Sequence, residues 1–148
     1  MYEEYDMLKL ENQLCFPLYA CSKEIIRRYK PYLDPLDLTY TQYITMMVMW
    51  ERQEITIKGL GKILYLDSGT LTPVLKKLEA KGYITRERSQ EDERSVFVTI
   101  TDKGRKLKEI AAEIPIKLGA CVKLSVEESK QLHSLLYRVL SGLEIDIP

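Results

Sequence analysis

The stretch from Asp67 to Gly104, DSGTLTPVLKKLEAKGYITRERSQEDERSVFVTITDKG, switches its hydrophobic period twice within a short span. Leu71, Val74, Leu75 and Leu78 recur at helical spacing and mark one buried helix face. Gly82 ends that run as a helix C-cap. Tyr83-Ile84-Thr85-Arg86 then reads as a strand, and Val96, Val98 and Ile100 alternate on a returning one. Between them Ser89-Gln90-Glu91-Asp92-Glu93-Arg94 is too polar to be buried, so it forms the tip of a hairpin. Thr101-Asp102-Lys103-Gly104 opens a further helix. A helix, a charged hairpin and a new helix start, in that order, leave few ways to fold.

The rest of the chain supplies the missing pieces. Ile57, Leu60, Ile63 and Leu64 are spaced as one face of a short helix, with Thr56 as its N-cap and Tyr65 to Gly69 as the following turn. Two short helices joined by a tight turn, the second rich in Thr and Lys on its outer face, make a helix-turn-helix, and the hairpin is its wing. The expected fold is mainly α with a small β-wing, a winged helix-turn-helix. Helices are expected at about 8–30, 36–52, 56–64, 69–81, 102–120 and 126–143, with strands at about 83–88 and 95–100.

Two regions carry more apolar surface than such a lobe needs. In the first helix Leu14, Leu18, Cys21 and Ile25 form one stripe, and Cys15, Tyr19, Ser22, Ile26 and Tyr29 the next. A face that wide suits a helix touching both its own domain and a second chain. Pro17 is expected to kink this helix and Pro31 to close it. The last two helices carry Ile110, Ile114, Leu118, Leu132, Leu135, Leu136, Val139, Leu140 and Leu143. One domain over 1–148 is expected, with dimerisation helices at about 1–35 and 102–148 around a DNA-reading lobe at about 36–101.

Charge does not advertise a partner: Lys+Arg and Asp+Glu are equal at 22 each. From Lys58 to Arg94 there are eight basic residues against six acidic ones, so placement must carry any case for nucleic acid. No apolar run approaches the roughly 18 residues of a membrane span, and the acidic N-terminus lacks the layout of a secretory signal. A cytoplasmic protein without a membrane partner is the expectation. Cysteines at 15, 21 and 121 form no CxxC, and His133 is the sole histidine. A disulfide framework, a zinc site and a bound cofactor are therefore not expected.

With the leucine face inward, the second helix of the motif presents Thr70, Pro73, Lys76 and Lys77 outward, with Thr72 on the flank. Short hydroxyl side chains near its N-terminus can approach base edges or phosphates, and the lysines add sequence-independent affinity. At the hairpin Arg94 can enter a minor groove, Arg86 and Arg88 can track the backbone, and Asp92 can brace either the arginine or the wing. The competing reading makes Lys76 and Lys77 a solvated helix face and the hairpin a plain β-loop. Asp92-Glu93-Arg94-Ser95 followed by Val98-Thr99-Ile100-Thr101-Asp102-Lys103-Gly104 resembles the wing signature of MarR-type regulators. Leu71-Thr72-Pro73-Val74-Leu75-Lys76-Lys77-Leu78-Glu79 resembles their recognition helix. The resemblance implies a homodimer on a pseudo-palindromic double-stranded DNA operator, usually as a repressor. It also implies Ser68, Thr70, Thr72, Lys76 and Lys77 at the major groove and Arg94 at the minor groove.

Glu11-Asn12-Gln13-Leu14-Cys15-Phe16, with Tyr19, Tyr29 and Tyr40, further resembles the organic hydroperoxide resistance regulators within that family. That likeness implies Cys15 as a peroxide sensor held by tyrosine hydroxyls, with Tyr29 and Tyr40 at the matching positions. The chemistry stands by itself: a thiolate attacks a peroxide oxygen and becomes a sulfenic acid, which goes on to a disulfide or sulfenamide. On a continuous helix Tyr29 lies about 21 Å from Cys15 along the axis, so contact between them requires a partner subunit. Cys21, within the leucine stripe, is expected in the core. Some regulators of this branch use a second cysteine at a distance like that of Cys121 to resolve the sulfenic acid between subunits; otherwise a small cellular thiol caps it. Three alternatives stay open: inert packing for Cys15, a regulator binding a small phenolic ligand, and a thiol peroxidase. Against the last, no arginine or histidine set stands near Cys15 in the sequence, and an enzyme is not expected.

Overall fold

A computed structural model describes residues 4–143 of the chain. Residues 1–3 and 144–148, the outer ends of the two expected dimerisation segments, lie outside the described residues. The chain divides into two compact units, residues 1–40 and 41–148.

In the first unit, two 3-10 turns, Asp6–Leu8 and Leu10–Asn12, precede helix α1, Cys15–Leu33. The expected helix from residue 8 therefore starts seven residues late. Side chains compete for the backbone there: Asn12 Nδ2 donates to the Asp6 carbonyl at 2.8 Å and Gln13 Nε2 to the Lys9 carbonyl at 3.0 Å, which favours tight turns over a helix. The expected kink at Pro17 is also corrected. Pro17 is the third residue of α1, where an N–H would have no intrahelical partner anyway. Pro31 does not close the helix but lies inside it, and α1 ends at Leu33. The Arg27 carbonyl left without its amide is on an exposed stretch, open to water. A 3-10 turn, Asp34–Leu36, and a left-handed Asp37 at φ 52° then turn the chain. Cys21 is exposed, not core: Leu14, Leu18 and Ile25 of its stripe are exposed with it.

The second unit continues through α2 (Tyr40–Arg52), whose first residue belongs to the first unit, then β1 (Glu54–Thr56), α3 (Ile57–Leu64) and α4 (Ser68–Ala80). The hairpin β2 (Ile84–Arg88) and β3 (Val96–Ile100) follows, then α5 (Asp102–Ala111), α6 (Ile114–Gly119) and α7 (Val126–Gly142). The sheet is antiparallel in the order β1-β3-β2, with Ile55 and Arg86 flanking Val98 on either side. Strand β1 was not foreseen, because three residues are too few to show alternation. Thr56 both ends β1 and caps α3, its hydroxyl oxygen accepting from the Gly59 N–H at 3.0 Å.

The core of this unit is Met46 and Met49 of α2, Leu60 of α3, Leu71, Leu75 and Leu78 of α4, and Ile84, Val98 and Ile100 of the wing. Its buried polar groups are satisfied: Lys81 Nζ donates to Gln42 Oε1 at 3.2 Å and Thr45 Oγ1 to the Thr41 carbonyl at 2.7 Å. Gly82 caps α4 as expected, at φ 80°, with Tyr83 N donating to the Leu78 carbonyl and Gly82 N to that of Glu79. Trp50 Nε1 reaches the Gly104 carbonyl at 2.9 Å, tying α2 to the start of α5.

The expected helix 102–120 is two helices. Pro115 has no N–H for the Ala111 carbonyl, so α5 stops at Ala111 and α6 restarts at Ile114. Cys121 consequently lies past α6 rather than at the end of one long helix. Helix α7 begins with a capping box between Ser125 and Glu128 and buries none of its residues. No helix among the described residues is long and apolar enough to cross a membrane.

Candidate nucleic-acid interface and thiol site

The turn between α3 and α4 is made by Tyr65, held left-handed at φ 56°, and by the Leu66 N–H donating to the Gly61 carbonyl at 3.0 Å. Asp67 then caps α4, its Oδ1 accepting from the Thr70 N–H at 2.7 Å. That bond, chiefly from the Thr70 backbone, holds the Asp67 carboxyl below the usual carboxylate range. Since Leu71, Leu75 and Leu78 are pinned in the core, the opposite face must look outward: Ser68, Thr70, Pro73, Lys76 and Lys77 are all exposed. Thr72 is half-buried on the flank and its hydroxyl donates to the Ser68 carbonyl at 2.7 Å. Neither Lys76 nor Lys77 enters an ion pair among the described residues.

The wing tip is a network around two short side chains. Ser89 Oγ accepts from the N–H groups of Glu91 and Asp92, and Ser89 N donates to the Ser95 carbonyl at 2.8 Å. Asp92 Oδ1 accepts from the Arg94 N–H at 3.0 Å, and its Oδ2 from the Ser95 hydroxyl at 3.3 Å. Of the two roles open to Asp92, the geometry shows the second: it braces the backbone of the turn, and the exposed Arg94 guanidinium enters no ion pair among the described residues. Arg86 is half-buried and fastened to Glu79 of α4 by an ion pair of 3.0 Å, so its guanidinium is already engaged. Arg88, two residues on, is exposed.

An open cleft of about 540 Å³ separates the head of α4 from the wing. Ser68 and Thr72 border it on one side, Asp92 and Arg94 on the other, and Lys58 of α3 on a third. Lys58 was counted in the sequence among basic residues but not placed at the site. The signal for it is its position right behind the Thr56 cap, at the start of the helix that precedes the recognition helix.

The thiol site is split. Cys15 is exposed in the first turn of α1, and Tyr19 lies one turn on, also exposed. Tyr29 is in a later turn of the same uninterrupted helix, about 21 Å along its axis. There its ring meets that of Tyr40, with centroids 4.9 Å apart and planes tilted by 52°. Burial pushes the Tyr40 hydroxyl above the usual phenol range, keeping it a protonated donor. One protomer thus brings Tyr29 to Tyr40 and leaves Cys15 with Tyr19. Cys121 is exposed, its sulfur 3.7 Å from the Lys117 carbonyl. Among the described residues no His, Cys, Asp and Glu group is arranged to hold a metal ion.

Residues 27–110 match the family described as transcriptional regulator SarA/Rot. The chain is 52% identical over 143 residues to the organic hydroperoxide resistance transcriptional regulator of Bacillus subtilis strain 168, covering 97% of each. It is 45% identical to the HTH-type transcriptional regulator SarZ of Staphylococcus haemolyticus over 90% of both chains. Among solved structures, reduced AbfR of Staphylococcus epidermidis bound to DNA superposes with a TM-score of 0.78 at 34% identity, covering 95% of this chain and 98% of that one.

Proposed function

We propose, for a chain that belongs to the MarR family of winged helix-turn-helix transcriptional regulators and within it to the organic hydroperoxide resistance regulators, a homodimeric repressor that releases its operator when Cys15 is oxidised. It is a cytoplasmic regulator, not an enzyme. Two copies of α4 enter successive major grooves of a pseudo-palindromic duplex, the spacing being set by the dimer. Ser68, Thr70 and Thr72 approach base edges, Lys76, Lys77, Arg88 and Lys58 neutralise phosphates, and Arg94 enters the adjoining minor groove.

The observation that carries the switch is the uninterrupted α1, which keeps the exposed Cys15 about 21 Å from Tyr29 along its own axis. Phenolic donors for the thiolate then come from the Tyr29 and Tyr40 pair of the partner subunit across the dimer seam. The thiolate attacks one oxygen of an organic hydroperoxide, the O–O bond breaks, and the other oxygen leaves with a proton as an alcohol. The sulfenic acid condenses with a second thiol, from Cys121 of the partner subunit or from a small cellular thiol, to a disulfide and water. Apolar neighbours such as Phe16 and Leu14 favour a hydroperoxide with a hydrocarbon tail.

Fluorescence anisotropy tests this directly, using a duplex that the wild-type protein selects from a random-sequence pool. Cumene hydroperoxide should release the wild-type protein and leave Cys15→Ser bound. Release that does not depend on Cys15 rules out the sensor, and a small phenolic effector then becomes the better explanation. On a nonreducing gel, a band of two chains that disappears in Cys121→Ser identifies Cys121 as the resolving thiol.

A further inference from the structure

We infer that Glu79 and Arg86 form a clamp that sets the angle of the wing to the recognition helix, so that both act on DNA binding by positioning Arg94. The inference rests on the DNA-binding reading above and assigns Arg86 a task other than touching DNA. The Glu79 carboxylate takes three bonds from one residue: Arg86 Nη2 at 3.0 Å on Oε1, and Arg86 Nε at 3.4 Å and the Arg86 backbone N–H at 3.2 Å on Oε2. A fork of that kind fixes direction as well as distance.

Its place in the fold gives it leverage. Along one face of β2, Ile84 is buried in the core, Arg86 is half-buried on Glu79 and Arg88 is exposed. The clamp therefore fastens β2 to α4 midway between the buried start of the strand and its exposed end. Arg86 also pairs with Val98 of the central strand, so a hold on Arg86 is a hold on both strands of the wing. Glu79 lies in the last turn of α4, where the helix dipole disfavours a negative charge. It is nonetheless held in the charged state, first by the Arg86 hydrogen bonds. A carboxylate on the recognition helix repels phosphate whatever its role, so removing its charge should by itself favour DNA binding.

That sign gives the test. Binding of the selected duplex is measured for Glu79→Gln and Arg86→Ala, each in wild-type and Arg94→Ala backgrounds, together with thermal unfolding and the salt dependence of affinity. A positioning clamp predicts that Glu79→Gln weakens binding about tenfold although it removes a negative charge near a polyanion. The same change costs little once Arg94 is already alanine, and the unfolding midpoint hardly moves, as for an ion pair still open to water. If Glu79→Gln leaves affinity unchanged or raises it, while Arg86→Ala lowers the salt slope by about one, Arg86 is a phosphate contact and the clamp is refuted. Equal losses in both backgrounds with a lowered midpoint reduce the pair to ordinary folding stability. If the wild-type protein selects no duplex at all, the DNA-binding premise fails first, and the clamp falls with it.

Discussion

Gly104 shows how much a single residue can decide here. A Cβ built on it would lie 2.3 Å from the Tyr83 carbonyl oxygen and 2.9 Å from Ile100, because the first turn of α5 packs directly on the chain entering the wing. Its carbonyl meanwhile receives the Trp50 indole. Gly104→Ala should cost on the order of 2–3 kcal/mol by forcing backbone apart in a filled site, read as a lower midpoint in denaturant unfolding. An unchanged midpoint would mean that this contact gives way freely. In the sequence Gly104 was visible only as part of a wing-like signature, since a close approach between two distant backbones leaves no periodic mark. Cys15 differs: its residue type and its place on the first helix were legible, because thiol chemistry depends on residue type before it depends on fold.

At the scale of the element, the recognition helix is defined by its ends. Asp67 at the head and Gly82 at the tail were readable, because capping is a local exchange between a side chain and the backbone next to it. The Asp67 carboxyl is held below its ordinary value, so its folded-state pKa lies below the unfolded value of about 3.9. Its stabilising effect is therefore fully present above about pH 4 and is lost as pH falls through the lowered folded value. Thermal unfolding from pH 7 to pH 3 should show the wild-type midpoint approaching that of Asp67→Asn only at the acid end. A constant gap across that range would remove the charged cap from the account of α4. Where interruptions were misjudged, the cause was also local but competitive. Asn12 and Gln13 take backbone carbonyls before α1, and Pro115 divides what reads as one amphipathic run into α5 and α6.

At the scale of the whole molecule, the apolar residues that no core covers carry the weight. Leu14 just before α1 and Leu18, Ile25 and Ile26 along it are exposed; along α7, Leu132, Leu135 and Val139 are exposed as well. Faces of that size are what a second copy of the chain would bury. Sedimentation should give twice the 17.3 kDa chain mass, and Leu135→Glu, at a side chain 56% exposed in the single chain, should shift it toward the monomer. An unaltered mass would exclude α7 from the seam. The amino-acid sequence by itself determined the helix-turn-helix with its wing and the candidate thiol, since periodicity, caps and residue type are properties of short stretches. Only the tertiary structure decided that Arg86 answers to Glu79, that Tyr29 meets Tyr40, and that a third strand pairs with the wing. Those are encounters between residues that the chain must fold to bring together, and no short stretch of it records them.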